Sequence, residues 1–452
     1  MRASGILARA LGARTPPTVR SAFPCRYNCA MTSQQPPPWI AAPSAGADAA
    51  SQIYDWELAQ SLRAKAMEWS PWRVRPNPPD GIEPIMLAGG IPDPATLPVD
   101  DLIACNERVL RREADDALQY GGPQGFEGLR AWLANDVNRR EGLSLGPEHF
   151  VLTCGASGAL ENVCEALLDP GDVAIIERPT FPGSTRMIMS CLAQVEGVRI
   201  DDDGIDCGEL EAVIARVKAA GKRVKLLYTI ANFQNPAAST MSLERRLRAI
   251  EICRRENVLI AQDDAYGAMT FGREAIPSFF ALAGGDGAVL LGTFSKTLAT
   301  GLRVGWLMGS QQIIDAVTRV RFDMGVSPWA SRVLAEYCES GRYDEHVSRM
   351  IEIYRRKRDA MLAALDERCA KHARWSSPQG GFFLWLELSE GVNPERLFET
   401  AWQEGVGYVG GNAFYDDGGG ANYIRLCYSN VAESEISLAI QRLGRALERS
   451  VE

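Results

Sequence analysis

Four short stretches carry side chains that could do chemistry: "NFQNP" (232–236), "DDAY" (263–266), "TFSK" (293–296) with Arg303, and "YIRL" (423–426). They supply an amide in Asn235, a carboxylate in Asp263, a phenol in Tyr266, an amine in Lys296 and guanidinium groups in Arg303 and Arg425. Amines and carboxylates exchange protons, and guanidinium groups grip anions. The chain has three histidines, His149, His346 and His372, and they form no metal-like cluster in the sequence. A histidine triad and a histidine-ligated metal are both disfavoured, so acid–base work falls to other groups. Taken one at a time the stretches say little, since a lysine after a strand is commonly a solvated surface group and "QNP" alone is a turn. Their shared position, each at a strand terminus, carries the information.

The elements that must deliver them are legible. From about Phe150, short apolar runs alternate with amphipathic helices: "FVLT", "ASGALENVCEALL", "VAIIE", "VKLLYTIA", "SLERRLRAIEICRREN", "VLIAQDD" and "AVLLGTFSK". Runs such as "VLIA" and "AVLL" are apolar at every position, which predicts strands buried on both faces of a largely parallel sheet. Ligands of such sheets bind beyond the carboxyl ends of the strands, where Asn235, Asp263 and Lys296 all fall. In the helix "SLERRLRAIEICRREN", Leu243, Leu247 and Ile250 are expected on one apolar face with the arginines mostly opposite. From about Asp315 the chain reads as helical, and "GGFFLWLEL", "GVGYVGG" and "NYIRLCYS" with a last helix predict a smaller α+β domain.

With "LAGGIPDPATLP", "LQYGGPQGFEGLR", "LLDPGDVAIIERPTF" and "SKTLATGLRVGW", the chain resembles, over about residues 51–450, the class I/II aminotransferases, pyridoxal-phosphate (PLP) enzymes of fold type I. The branch with 2-aminoadipate and kynurenine-type enzymes is the most similar. The resemblance implies an α/β fold: a large PLP-binding domain (99–335) with a mostly parallel seven-stranded sheet, and a C-terminal small domain (336–452). Residues 51–98 are expected to contribute to the small domain, after a disordered or transit-like tail (1–50). By resemblance, Lys296 holds the cofactor aldehyde as a Schiff base and carries a proton to and from the substrate α-carbon. Asp263 faces the pyridine nitrogen, with Asp264 the nearest competitor for that role. Asn235 and Tyr266 bind the ring oxygen, and Phe181 stacks on the ring. The phosphate falls to the backbone at Ala156 and Ser157, with Thr293, Ser295 and Arg303. Arg425 grips the substrate α-carboxylate, Gly90 approaches the same group, and Arg73 in "WSPWR" can meet a distal carboxylate. Tyr120 reaches the phosphate of the neighbouring subunit in a homodimer with shared sites. The implied reaction moves an amino group between an amino acid and a 2-oxo acid in ping-pong fashion. The same scaffold also runs lyase, synthase and oxidase chemistry, and amino-group exchange separates these readings. "NPAA" and "GASGAL" depart from the usual family wording without removing a catalytic group.

Composition sets the outer bounds. With 46% hydrophobic and 23% charged residues, 452 residues are expected to form more than one domain. A formal charge of −9 argues against nucleic-acid and anionic-membrane surfaces as partners. No apolar run approaches the roughly 20 residues of a membrane helix. Eleven cysteines without a CxxC pair fit a reducing compartment rather than a disulfide framework or a zinc site. The first 47 residues lack any acid but contain Arg2, Arg9, Arg14, Arg20 and Arg26. That pattern suits either an organelle transit peptide or a disordered extension upstream of Met31, so the expected location is either cytoplasmic or mitochondrial.

Overall fold

The computed structural model describes residues 55–67, 81–272 and 275–451. The expected tail (1–50) and Arg73 lie outside the described residues. Two compact units are distinguished, residues 1–59 and 60–452. Within the first, one short helix, Trp56–Ala59, is described; the second holds everything that follows.

Its strands are β1 (Ile85–Met86), β2 (Phe150–Thr153), β3 (Val173–Arg178), β4 (Gln194–Asp201), β5 (Gly204–Ile205), β6 (Val224–Thr229), β7 (Leu259–Asp263), β8 (Ala288–Thr293), β9 (Gly305–Met308), β10 (Ala373–Trp375), β11 (Phe383–Leu388), β12 (Val406–Gly407), β13 (Val409–Gly410) and β14 (Tyr423–Cys427). The large sheet runs β2-β9-β8-β7-β6-β3-β4-β5. Seven strands make its body, and the two-residue β5 merely folds back on β4 as an antiparallel stub. Pairing is parallel from β8 through β7, β6 and β3 to β4, whereas β9 runs against both its neighbours. Every residue of β2 and β8 is buried, as expected of strands covered on both faces by helices. The carboxyl ends of β3, β6, β7 and β8 therefore share one edge, and the loops leaving that edge carry the polar stretches.

A second, antiparallel sheet, β10-β11-β14-β13, carries "YIRL" on β14. β1 pairs in parallel with β12, which ties Ile85–Met86 to the C-terminal part of the chain. One apolar cluster unites Leu384, Leu386, Leu426 and Tyr354 there with Phe233, Tyr266 and Met269 from the loops of the large sheet. This shared core seats β14 over the sheet edge.

The helix Leu243–Glu256 turns differently from expectation. Ser242 caps its start and Asn257, at φ 56, ends it. Leu243 and Leu247 are exposed, while Arg246, Ala249, Ile250, Ile252 and Cys253 form the buried face. The reason is polar: the Arg246 guanidinium reaches the carbonyls of Met241, Pro277 and Ala231 and the side chain of Asn232. A fully bonded arginine can occupy a core position that periodicity assigns to leucine. Among the described residues no helix is long and apolar enough to cross a membrane, and no group of three metal-ligating side chains occurs.

Candidate active site

Lys296 lies three residues beyond β8, in a turn fixed from below. Thr293 Oγ1 donates to Ser295 Oγ (3.0 Å) and accepts from the Ser295 backbone N–H (3.1 Å). The lysine side chain then enters a cavity of about 370 Å³. Its Nζ donates to Gly90 O at 2.6 Å and lies 5.9 Å from the centre of the Tyr266 ring. Burial disfavours the ammonium form and pulls this amine down to about 8.

Asp263, the last residue of β7, faces the same cavity. Its carboxylate accepts from the Tyr228 hydroxyl (2.7 Å) and from Ala265 N (3.2 Å). Burial pushes the carboxyl up to about 6, against the pull of the Tyr228 hydrogen bond. Asp264 does not line the cavity; its carboxylate accepts from Asn232 Nδ2 at 2.6 Å. Tyr266 is buried too, which raises its phenol well above the ordinary range and keeps the O–H protonated.

Asn235 sits on the loop after β6, and that loop is tied to a buried acid. Glu177, on β3, accepts from Thr229 Oγ1, from Ile230 N (3.1 Å) and from Gln234 Nε2 (3.1 Å). Arg425 arrives from β14. Its Nη1 donates to Asn235 Oδ1 (2.7 Å) and its Nη2 to Ala88 O (2.8 Å). The guanidinium carbon lies 4.2 Å from the centre of the Phe383 ring and 4.9 Å from that of Phe414, within cation–π range of both. Only 4% of the residue is exposed, and its buried Nε has no hydrogen-bond partner.

The opposite end of the cavity is cationic and small-residue lined. The helix Gly155–Leu167 begins there, presenting Ala156 and Ser157. Arg303 adopts a left-handed backbone (φ 53), which turns its side chain toward Cys154 O (3.2 Å). A side chain at Gly155 would sit 3.2 Å from Arg303 Nη2 on a backbone at φ +72, so glycine alone suits this junction. At the other end, a β-carbon on Gly90 would meet Phe383 at 2.7 Å.

Twelve of the residues singled out in the sequence thus line one cavity: Gly90, Ala156, Ser157, Phe181, Asn235, Asp263, Tyr266, Thr293, Ser295, Lys296, Arg303 and Arg425. Tyr120 does not; it stands 86% exposed on the surface. Sequence reading missed Tyr228, Phe383, Phe414 and the carbonyls of Ala88 and Gly90. A tyrosine inside the apolar run "KLLYT" was the one available signal, because a buried phenol needs a partner.

These residues fit pyridoxal phosphate. A helix N-terminus beside a guanidinium and two hydroxyls suits a phosphate. A buried carboxylate suits a ring nitrogen, and a low-pKa amine suits an aldehyde. The unpartnered Nε of Arg425 leaves donor capacity for a carboxylate.

The sequence matches the family Aminotransferase class I and II over residues 85–443. It is 32% identical to aromatic-amino-acid aminotransferase 1 of Thermococcus litoralis, over 88% of this chain and 96% of the relative. Among solved structures, a kynurenine aminotransferase of Pyrococcus horikoshii superimposes with a TM-score of 0.78 at 32% identity, covering 82% of this chain and 93% of that one. The α-aminoadipate aminotransferase of Thermus thermophilus, complexed with N-(5'-phosphopyridoxyl)-L-leucine, gives 0.79 at 31%, covering 88% and 99%.

Proposed function

The chain belongs to the class I and II aminotransferases, PLP-dependent enzymes of fold type I that act on amino acids and 2-oxo acids, and on that footing we propose how its own residues divide the work. Lys296 is the residue that holds the cofactor and, once free, moves a proton at the substrate α-carbon. An amine near pKa 8 is half neutral close to physiological pH, as a base of this kind requires. Asp263 holds the proton of the pyridine nitrogen. Tyr266 and the Nδ2 of Asn235 donate to the ring oxygen, and Phe181 covers the ring face. The helix start at Ala156 and Ser157 takes the phosphate together with Thr293, Ser295 and Arg303. The cofactor, when bound, supplies the electron sink for the α-carbon.

Arg425 grips the substrate α-carboxylate, aided by the close backbone at Gly90, and Arg73 meets a distal carboxylate in acidic substrates. The convergence of Lys296, Asp263 and Arg425 on one cavity carries this division of roles. Purified enzyme offered a panel of amino acids, each without an acceptor, tests it through conversion of the cofactor to its aminated form. Conversion by none of them would remove the assignment.

We further propose that the enzyme is a homodimer with shared sites. Tyr120 and Phe322 are 86% and 89% exposed, and Leu118 and Met324 are also exposed. A surface so apolar favours a covering partner. Tyr120 then serves the phosphate of the neighbouring copy.

A further inference from the structure

The hydroxyl pair beneath Asp263 belongs to none of the roles above. Tyr228, on β6, is 0% exposed and donates to Asp263 Oδ2 at 2.7 Å. Ser184, in the helix Pro182–Ser190, donates in turn to the Tyr228 oxygen at 2.7 Å. The two bonds run in one direction. With its oxygen occupied by the serine proton, the phenol turns its own proton to the carboxylate. Tyr228 reaches Asp263 from β6, and Ser184 reaches Tyr228 from the helix that Phe181 caps.

We propose that Ser184 and Tyr228 form a positioning relay that keeps Asp263 ionised, and thereby keeps the proton on the pyridine nitrogen rather than on the carboxyl. The inference rests on Asp263 facing that nitrogen. The need for such a relay follows from the surroundings. Asp263 is buried, and its neighbour Asp264 adds like charge that Lys296 only partly opposes. Burial and like charges both favour a neutral carboxyl. The Tyr228 hydrogen bond and the backbone N–H of Ala265 favour the charged one. A neutral Asp263 could still sit beside the ring, but it would leave the nitrogen without its proton and weaken the electron sink. A phenol that bonds the carboxylate settles that competition through geometry, at no cost in added charge.

Tyr228→Phe removes one O–H and retains the ring. The holoenzyme would be loaded with cofactor carrying 15N at the pyridine position, and its 15N chemical shift compared between wild type and variant at one pH. The expected shift in the variant moves toward the unprotonated pyridine value. The amino-acid half-reaction should slow on the order of tenfold to a hundredfold, the range for losing a hydrogen bond to a charged group, while KM changes less than threefold. Ser184→Ala, which leaves the phenol in place, should move both readouts in the same direction by less. A variant that merely loosened packing would lower thermal stability without moving the 15N shift.

An unchanged shift in Tyr228→Phe overturns the relay. If that variant does not fold, Ser184→Ala decides alone, and an unchanged shift there overturns it equally. A wild-type enzyme whose pyridine nitrogen is already unprotonated would instead refute the underlying role of Asp263, so the two failures are distinguishable.

Discussion

Replacing Arg425 by lysine keeps the charge and discards the fork. The guanidinium spans Asn235 Oδ1 at 2.7 Å and Ala88 O at 2.8 Å beside the Phe383 and Phe414 rings. An ammonium on a shorter stem can satisfy one of those acceptors but not both, and it cannot stack. Where the planar fork can give a carboxylate two charge-assisted hydrogen bonds an ammonium gives one, and a hydrogen bond to a charged group contributes about 1.5–3 kcal/mol. The loss is therefore roughly 1.5–3 kcal/mol, or roughly 10- to 150-fold in kcat/KM at about 1.36 kcal/mol per decade. Because every amino acid presents the same α-carboxylate, the factor should be nearly uniform across alanine, an aromatic amino acid and 2-aminoadipate. Stopped-flow absorbance of the half-reaction, with each substrate in excess, measures it. A change below threefold, or factors that differ more than tenfold between substrates, would refute the assignment of Arg425 to the α-carboxylate.

Lys296→Ala should abolish turnover in a folded protein, and borohydride reduction of the wild type followed by peptide mapping should place the label on Lys296; label on another lysine excludes it. Asp263→Asn should retain cofactor and lose most of kcat, whereas Asp264→Asn, at a carboxylate bonded to Asn232 outside the cavity, should be mild; the reverse ranking would shift the role by one residue. Burial disfavours the charged Lys296, so capture of cofactor by cofactor-free enzyme should accelerate as pH rises and level off above about 8. An inflection at the roughly 10.4 of a solvated lysine would contradict the buried amine. Tyr120→Asp and Lys296→Ala, each inactive, should regain activity when unfolded and refolded together, since a mixed dimer with shared sites has one site free of both changes. No recovery from a verified mixed dimer would assign Tyr120 to its own subunit.

The strands of the large sheet could be read because their burial on both faces leaves an unbroken apolar run, as in β8. Lys296, Asp263 and Asn235 could be read because sheet geometry sends whatever follows such a run to one edge. Residues whose contribution is a backbone atom could not: nothing in the identity of Ala88 announces that its carbonyl meets Arg425. Phe414 was equally silent, lying in the turn-rich "NAFYDDGGG" where no periodicity applies. The burial of Arg246 in place of Leu243 and Leu247 has a related cause. Periodicity ranks leucine above arginine for burial, and the carbonyls that satisfy Arg246 come from residues distant in the chain, such as Ala231 and Pro277.

The bonds that hold Arg425 and Lys296 also set when the site can exist. Arg425 is 190 residues from Asn235 and 337 from Ala88, and Lys296 is 206 from Gly90. Helices form within about a microsecond from local contacts, but contacts of this separation must wait for large loops to close. The large sheet is complete by Met308, more than a hundred residues before the arginine that meets Asn235. A chain still being synthesised can therefore assemble the sheet and its lysine edge while lacking any means to hold a carboxylate. Catalytic competence arrives only with the last strand, so on refolding it should trail the return of helical signal rather than accompany it.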